Sequence, residues 1–407
     1  MRPKPAAVRP EPAAAHHRSA AARPVAVALG GLAALATAMG VGRFVYTPIL
    51  PAMRDGLGLS GGAAGAIAAA NFVGYLAGAL LAALPGLPGR RWTWLAGALA
   101  VSAATTAAMA AVRTAAAFAL LRFLGGAASA LVFVFATALV LDHLRAAGRM
   151  DLSALHYAGV GTGIAVSGGL VAGLEAAGIG WQGLWWAGAA LSLALGTLGL
   201  ALVPRHGTAE AGGAAAAGAT PRVPLAPLVL AYGLFGFGYV VTATFLVAIV
   251  RDAPDLRAVE PLVWLCVGLS AAPSVALWRG LGHRFGPLPA FALACGVEAL
   301  GVAASVLWPT AAGALAAAVL LGGTFMGLTA LGLEAARRRA GGDERRTVAV
   351  MTAAFGVGQV AGPLVAGLLH DRLGSFLVPS LAAAGALVTA GAIALREVGR
   401  SGVMGSP

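Results

Sequence analysis

The stretch Gly40 to Met53, GVGRFVYTPILPAM, closes the first long apolar segment of the chain and carries an arginine inside it. Arg43 is followed one helical turn on by Tyr46 and Thr47, then by Pro48 and Pro51, which bend helices. If Val25 to Met53 forms one helix rising about 1.5 Å per residue, Arg43 lies roughly two-thirds of the way along it, too deep to reach the near end. A charge at membrane depth is costly and is usually kept for a polar cavity. The spacing therefore predicts that Arg43 lines a cavity. The alternative is a side chain that snorkels to the far interface.

Working outward, 59% of the 407 residues are hydrophobic and only 10% are charged, whereas charged residues make up about a quarter of a soluble protein. Runs of 18 or more nearly uncharged residues suffice to cross about 30 Å of hydrocarbon as helices. They fall at Val25 to Pro51, Ala63 to Leu84, Trp92 to Val112, Ala115 to Leu141, Leu152 to Leu174 and Trp181 to Val203. After a gap come Leu225 to Val250, Pro261 to Trp278, Leu288 to Trp308, Ala311 to Leu333, Val348 to Leu369 and Phe376 to Leu395. Barrel strands would be about ten residues of strict alternation, and these runs are longer and apolar on every side. The expected fold is an all-α integral membrane protein with twelve transmembrane helices.

The formal net charge of +12 reports orientation rather than a nucleic-acid partner. With the N-terminus inside, the inner segments collect most of the arginines, among them Arg90, Arg91, Arg145, Arg149, Arg279, Arg284, Arg337, Arg338, Arg339 and Arg396. The outer loops hold Arg54, Arg113, Arg251, Arg257 and Arg372. That asymmetry predicts cytoplasmic termini. Residues 1 to 24 are expected to be a disordered cytosolic tail. A cleavable leader ending near Ala36-Thr37-Ala38 is the alternative, but the apolar run continues past it and cleavage would leave an odd number of spans. Cys266 and Cys295 lack CxxC spacing and read as small core residues. No cofactor or metal is expected.

The two sets of six match each other. Gly40-Val41-Gly42-Arg43 aligns with Gly236-Phe237-Gly238-Tyr239, Gly159-Val160-Gly161 with Gly356-Val357-Gly358, and Gly169 to Leu174 with Pro363 to Leu368, at nearly constant offset. Two six-helix pseudo-symmetric halves, 25–203 and 225–396, follow, with a flexible cytosolic linker 204–224 and a C-terminal tail 397–407. Many secondary transporters are built as two such repeats with a site between them. Gly159, Gly163, Gly322, Gly323, Gly358 and Gly362 allow close helix approach, and packing is the favoured reading for them.

The inner loops Leu84 to Arg91, LPGLPGRR, and Arg279 to Gly286, RGLGHRFG, resemble the signature loop of the major facilitator superfamily. His283 stands where that loop carries an Asp, and the first loop has no acid. Arg122 followed by Gly126 resembles the RxxxG element of the same superfamily, which implies a link to proton coupling. GVGRFVYTPILPAM, Asn71 to Gly78 (NFVGYLAG) and Gly236 to Tyr239 through Thr244 to Leu246 resemble the YbfB/YjiJ family within it. The resemblance runs from about residue 25 through nearly the whole chain. It implies a major facilitator fold in the bacterial inner membrane and no firm substrate.

Candidate binding residues are the polar positions inside the spans. Arg43, Tyr46 and Thr47 share a face at helical spacing, as do Asn71 and Tyr75. His156 enters span five, Arg122 lies in span four, and Tyr239, Thr242 and Gln359 face them by repeat symmetry. Taken alone, each of these reads first as a packing residue; together they point to a polar midplane. Buried acids are scarce, with Glu298 in a peripheral span. Two latches are expected to close the inner face when the cavity opens outward, Arg90 or Arg91 with Asp142 and Arg284 with Glu334. The function expected is secondary active transport by a monomer that moves a small molecule, an organic anion held by guanidinium or a neutral or cationic drug-like compound, with a proton as coupling ion. A polytopic enzyme is the rival class, and the paired acids, HExxH or Cys/His cluster it would need are absent from the sequence.

Overall fold

The computed structural model describes residues 13–84, 87–205, 225–340 and 344–403. Residues 1–12 of the expected tail, 206–224 of the expected linker and 404–407 lie outside the described residues. Among the described residues the chain is helical: α1 Ala13–Leu35, α2 Tyr46–Leu57, α3 Gly61–Ala82, α4 Arg91–Ala108, α5 Ala115–Ala146, α6 Ser153–Ala176 and α7 Trp181–Leu202. The second set is α8 Ala226–Asp252, α9 Glu260–Phe285, α10 Pro287–Leu307, α11 Ala311–Arg338, α12 Glu344–Leu373 and α13 Leu377–Val403. α1 and α2 form one crossing interrupted by a π-helical segment, Ala36–Val41. Two boundaries differ from expectation. Residues 13–24 continue the first helix instead of forming tail, and α13 runs past 396 to Val403.

Eleven of the twelve crossings are long and apolar enough on composition to span a membrane. The remaining one, α4, carries Arg91, Ser102, Thr105 and Thr106 within its length. It loses little by this, because Thr105 and Thr106 return their hydroxyls to the helix's own carbonyls at 2.8 and 2.7 Å. The duplication shows in the caps. Thr114 and Thr310, at equivalent places, each accept the amide of the third residue on, from Ala117 and Gly313, which supplies one of the orphan donors at a helix start.

Helix packing repeats as well. Within the first half α3 lies on α5, α1 on α6 and α7, and α4 on α5; within the second α9 lies on α11, α8 on α12 and α13, and α10 on α11. The halves meet along α3 with α12 and α6 with α9, and where α2 crosses α8. Glycines line these seams. A Cβ at Gly65 would strike the Pro363 backbone, one at Gly367 the Gly61 carbonyl, one at Gly161 the backbone of Ala271 and Ala272, and one at Gly268 that of Ala165. Backbones there touch directly. Large apolar side chains such as Leu120, Leu269, Leu300 and Val357 are left on the outside, where hydrocarbon is their solvent.

Candidate functional site

The site begins with a defect. Pro48 has no amide to give Phe44, so the Phe44 carbonyl takes the Thr47 amide at 3.2 Å. Upstream the ladder slips by one residue, with Gly42 N–H on the Thr37 carbonyl at 2.8 Å and Phe44 N–H on that of Met39 at 3.3 Å. The carbonyls of Gly42 and Arg43 are thereby turned out of the helix, and Arg122 of α5 collects both. Its Nη1 donates to Gly42 O at 2.8 Å and its Nη2 to Arg43 O at 2.7 Å. Broken backbone is tolerated at membrane depth only where something re-satisfies it, and the Arg122 guanidinium does so. Its face also lies over the Tyr46 ring at 5.1 Å.

The glycine of the RxxxG element follows from the same contact. A Cβ at Gly126 would collide with the Asn71 carbonyl, and ones at Gly74 and Gly78 with the carbonyls of Phe123 and Ala127. Asn71 Nδ2 donates to the Arg122 carbonyl at 2.9 Å. NFVGYLAG is thus the surface on which α3 and α5 press their backbones together.

Arg43 is different. It is 3% exposed, and its Nε and Nη2 are buried without a hydrogen-bond partner. Three rings surround its guanidinium, Tyr75 at 4.3 Å, Phe72 at 4.7 Å and Phe44 at 5.3 Å. A void of about 10 Å³, enough for one water, lies among Arg43, Phe44, Thr47, Phe72, Arg122 and Ala243. The two arginines named as candidate binding residues therefore differ. Arg122 is spent on the backbone, and Arg43 keeps free donors.

Opposite stands Tyr239, sandwiched between Phe325 and Phe355 with ring planes parallel within 2°, and hydrogen-bonded by Gln359 Nε2. The Gln359 Oε1 and Thr242 Oγ1 are buried and unpartnered. The interruption before Tyr46 means that no continuous helix carries Arg43, Tyr46 and Thr47, yet all three border the void. Tyr46 donates to the Ala64 carbonyl at 2.9 Å, and Thr47 reaches the other half to donate to Ala243 O at 2.7 Å. His156 lies between α1, α5 and α6, its Nε2 with Thr137 Oγ1 at 3.0 Å and its Nδ1 against Gly31. Glu298 is fully buried with both carboxyl oxygens unpartnered.

Of the two latches, Arg91 pairs with Asp142 at 3.0 Å, but within one half. Arg90 is exposed at the start of α4. Glu334 is bonded by Arg338 at 2.5 Å, one turn along its own helix, while Arg284 lies over Phe285. Sequence reasoning missed the polar contacts between halves on the face opposite the termini, where Arg54, Asp55, Glu175, Arg251, Asp252 and Asp371 meet.

Two six-helix halves in a membrane, with polar groups gathered on the seam between them, define a major facilitator transporter. The chain belongs to the family described as "Uncharacterised MFS-type transporter YbfB", whose model matches residues 35–395. No curated protein sequence matches the chain. Among solved structures it is similar to a point mutant of the nucleoside transporter NupG, with TM-score 0.69 at 14% identity, over 91% of this chain and 99% of that one. A second NupG structure superposes with TM-score 0.64 at 17% identity, over 91% and 98%. At these identities the likeness is one of fold.

Proposed function

We propose that this transporter carries a small organic anion across the bacterial inner membrane by alternating access, the halves 25–203 and 225–396 rocking about the seam, with both termini cytoplasmic and one chain forming the whole pathway. The observation that carries the reading is Arg43, a buried guanidinium at the seam with two unpartnered donors. A carboxylate gripped by that fork would offset a charge that is otherwise expensive to bury, with Tyr75, Tyr239 and Gln359 close enough to orient the rest of the molecule. A proton is the proposed coupling ion, with His156 or the substrate itself as its carrier.

One observation favours a second reading. Three ring faces around Arg43 already offset part of its charge, which suits a neutral or cationic aromatic compound sliding along the Phe44, Phe325, Tyr239 and Phe355 rings. Transport of matched anionic, neutral and cationic compounds by Arg43→Lys and Arg43→Gln in proteoliposomes separates the two. The anion reading expects Lys to keep the charge but lose the fork, weakening uptake, and Gln to abolish it. Undiminished transport by Arg43→Gln would sink it.

A further inference from the structure

The first and seventh spans both end in the dipeptide Arg-Asp, as Arg54-Asp55 on α2 and Arg251-Asp252 on α8, in the same register to within one residue. Each dipeptide reaches the other. Arg54 Nη1 donates to Asp252 Oδ2 at 3.3 Å, and Arg251 Nη1 donates to Asp55 Oδ2 at 3.5 Å. Such reciprocity, i to j and j to i, marks a two-fold contact, here inside a single chain. The axis passes beside Thr47 and Ala243, which are repeat-equivalent and bonded to each other.

Further acids cross the seam on the same face, shortly after the two matched VAGL runs. Glu175 accepts from Arg251 Nη2 at 2.6 Å, and Asp371 accepts the amides of Gly61 and Gly62, at the start of α3, at 2.7 Å each. Glu260 steadies Arg251 from its own half, accepting from Nε at 2.7 Å. Behind Arg251 lies a cavity of about 220 Å³ between the halves, lined by Pro48, Val171, Glu175, Val247, Glu260 and Trp264 among others. On the terminus-bearing face, by contrast, Arg91 with Asp142, Arg338 with Glu334 and Arg339 with Glu397 each stay within one half. There Arg279 crosses to Ser153 Oγ at 3.3 Å.

We infer that the duplicated Arg-Asp dipeptides, with Glu175 and Asp371, form a charge lock encoded by the repeat that holds the face opposite the termini shut, and that the cavity behind Arg251 is the mouth that opens when the lock parts. Arg251 is the hub. It is 17% exposed and Glu260 12%, so their pairing is less screened than a surface pair. Asp55, 73% exposed, is the weakest arm. The two dipeptides lie either side of the axis, so rocking must break both crossed pairs together. The lock therefore has two settled positions and little between them.

The inference rests on the alternating-access reading but on no substrate, so the test uses labelling rather than uptake. Val247→Cys, behind the lock, and separately Leu333→Cys, half-buried towards the terminus-bearing end of α11, are placed in a chain with Cys266→Ala and Cys295→Ala. Each is reacted in oriented vesicles with a membrane-impermeant maleimide from its own side. Arg251→Asp should speed labelling of the Val247 position by about twofold to fivefold, the range set by disrupting one modest ion pair, while slowing the Leu333 position. Asp252→Arg should do likewise, and Arg54→Asp with Asp252→Arg should restore the parent rate. Speeding at both positions, no change at either, or no restoration by the swap would each overturn the lock. Speeding at both positions counts against the alternating-access reading itself, whereas unchanged labelling at both removes the lock alone.

Discussion

The first and seventh spans are copies of one repeat, yet the first is broken and the seventh is not. α8 runs without interruption from Ala226 to Asp252, while the same register in the first span passes through a π segment and a turn before resuming at Tyr46. Pro48 and Pro51 account for the break, and the seventh span has no proline in that register. A compensating difference stands in the neighbouring helix. Gly126 packs on the Asn71 carbonyl in one half and Gly322 on the Val267 carbonyl in the other. This register sets Arg122 opposite Ala318, which is fully buried. A guanidinium stands where carbonyls were freed, and a methyl stands where none were. The comparison teaches that a buried arginine in such a chain can answer a backbone need, and that of these two it is Arg43 that is left with unpartnered donors.

The comparison breaks most sharply if the guanidinium is put where no carbonyl waits for it. Ala318→Arg should destabilise the protein by at least about 3 kcal/mol, the scale of an uncompensated buried charge. Loss of monodisperse protein in detergent is the expected result, and a normal melting temperature would contradict it. Next in size is Arg122→Ala, which strips two buried carbonyls of their donors at about 1–3 kcal/mol each. If those carbonyls are free because of Pro48, then Pro48→Ala should soften the loss, and the double-mutant cycle on melting temperature should be non-additive. Additive effects would show that Arg122 serves some other partner. The smallest effect is Thr47→Val, which deletes one buried hydrogen bond between the halves and should lower stability by about 1 kcal/mol. Thr242→Val, whose hydroxyl has no partner, serves as its control and should not destabilise.

Span number, the duplication and the membrane setting were legible in the sequence because hydropathy is read one segment at a time and needs no partners. Arg43 was legible for the same reason, being a charge at depth. The role of Arg122 was not, since it depends on which carbonyls a slipped helix exposes, and the spacing of Arg43, Tyr46 and Thr47 was read as if the helix were continuous. Pro48 was the available signal. The crossed Arg-Asp dipeptides were also present in the alignment of the first and seventh spans. Charges at span ends look solvated in a linear sequence, and only the two-fold arrangement brings them face to face. The latch expected between Arg284 and Glu334 is not formed in this structure, in which Arg338, one turn along the same helix, holds Glu334.

The glycines on the two seams have a mechanical consequence. Helices that interdigitate by ridges and grooves must climb over one another to change their crossing angle. Where Gly65 and Gly367 meet the facing backbone, and where Gly161 and Gly268 do the same on the other seam, there are no side-chain teeth to disengage. In the rocking proposed above, such surfaces would serve as plain bearings, holding the separation of the two halves while putting little in the way of a change of tilt.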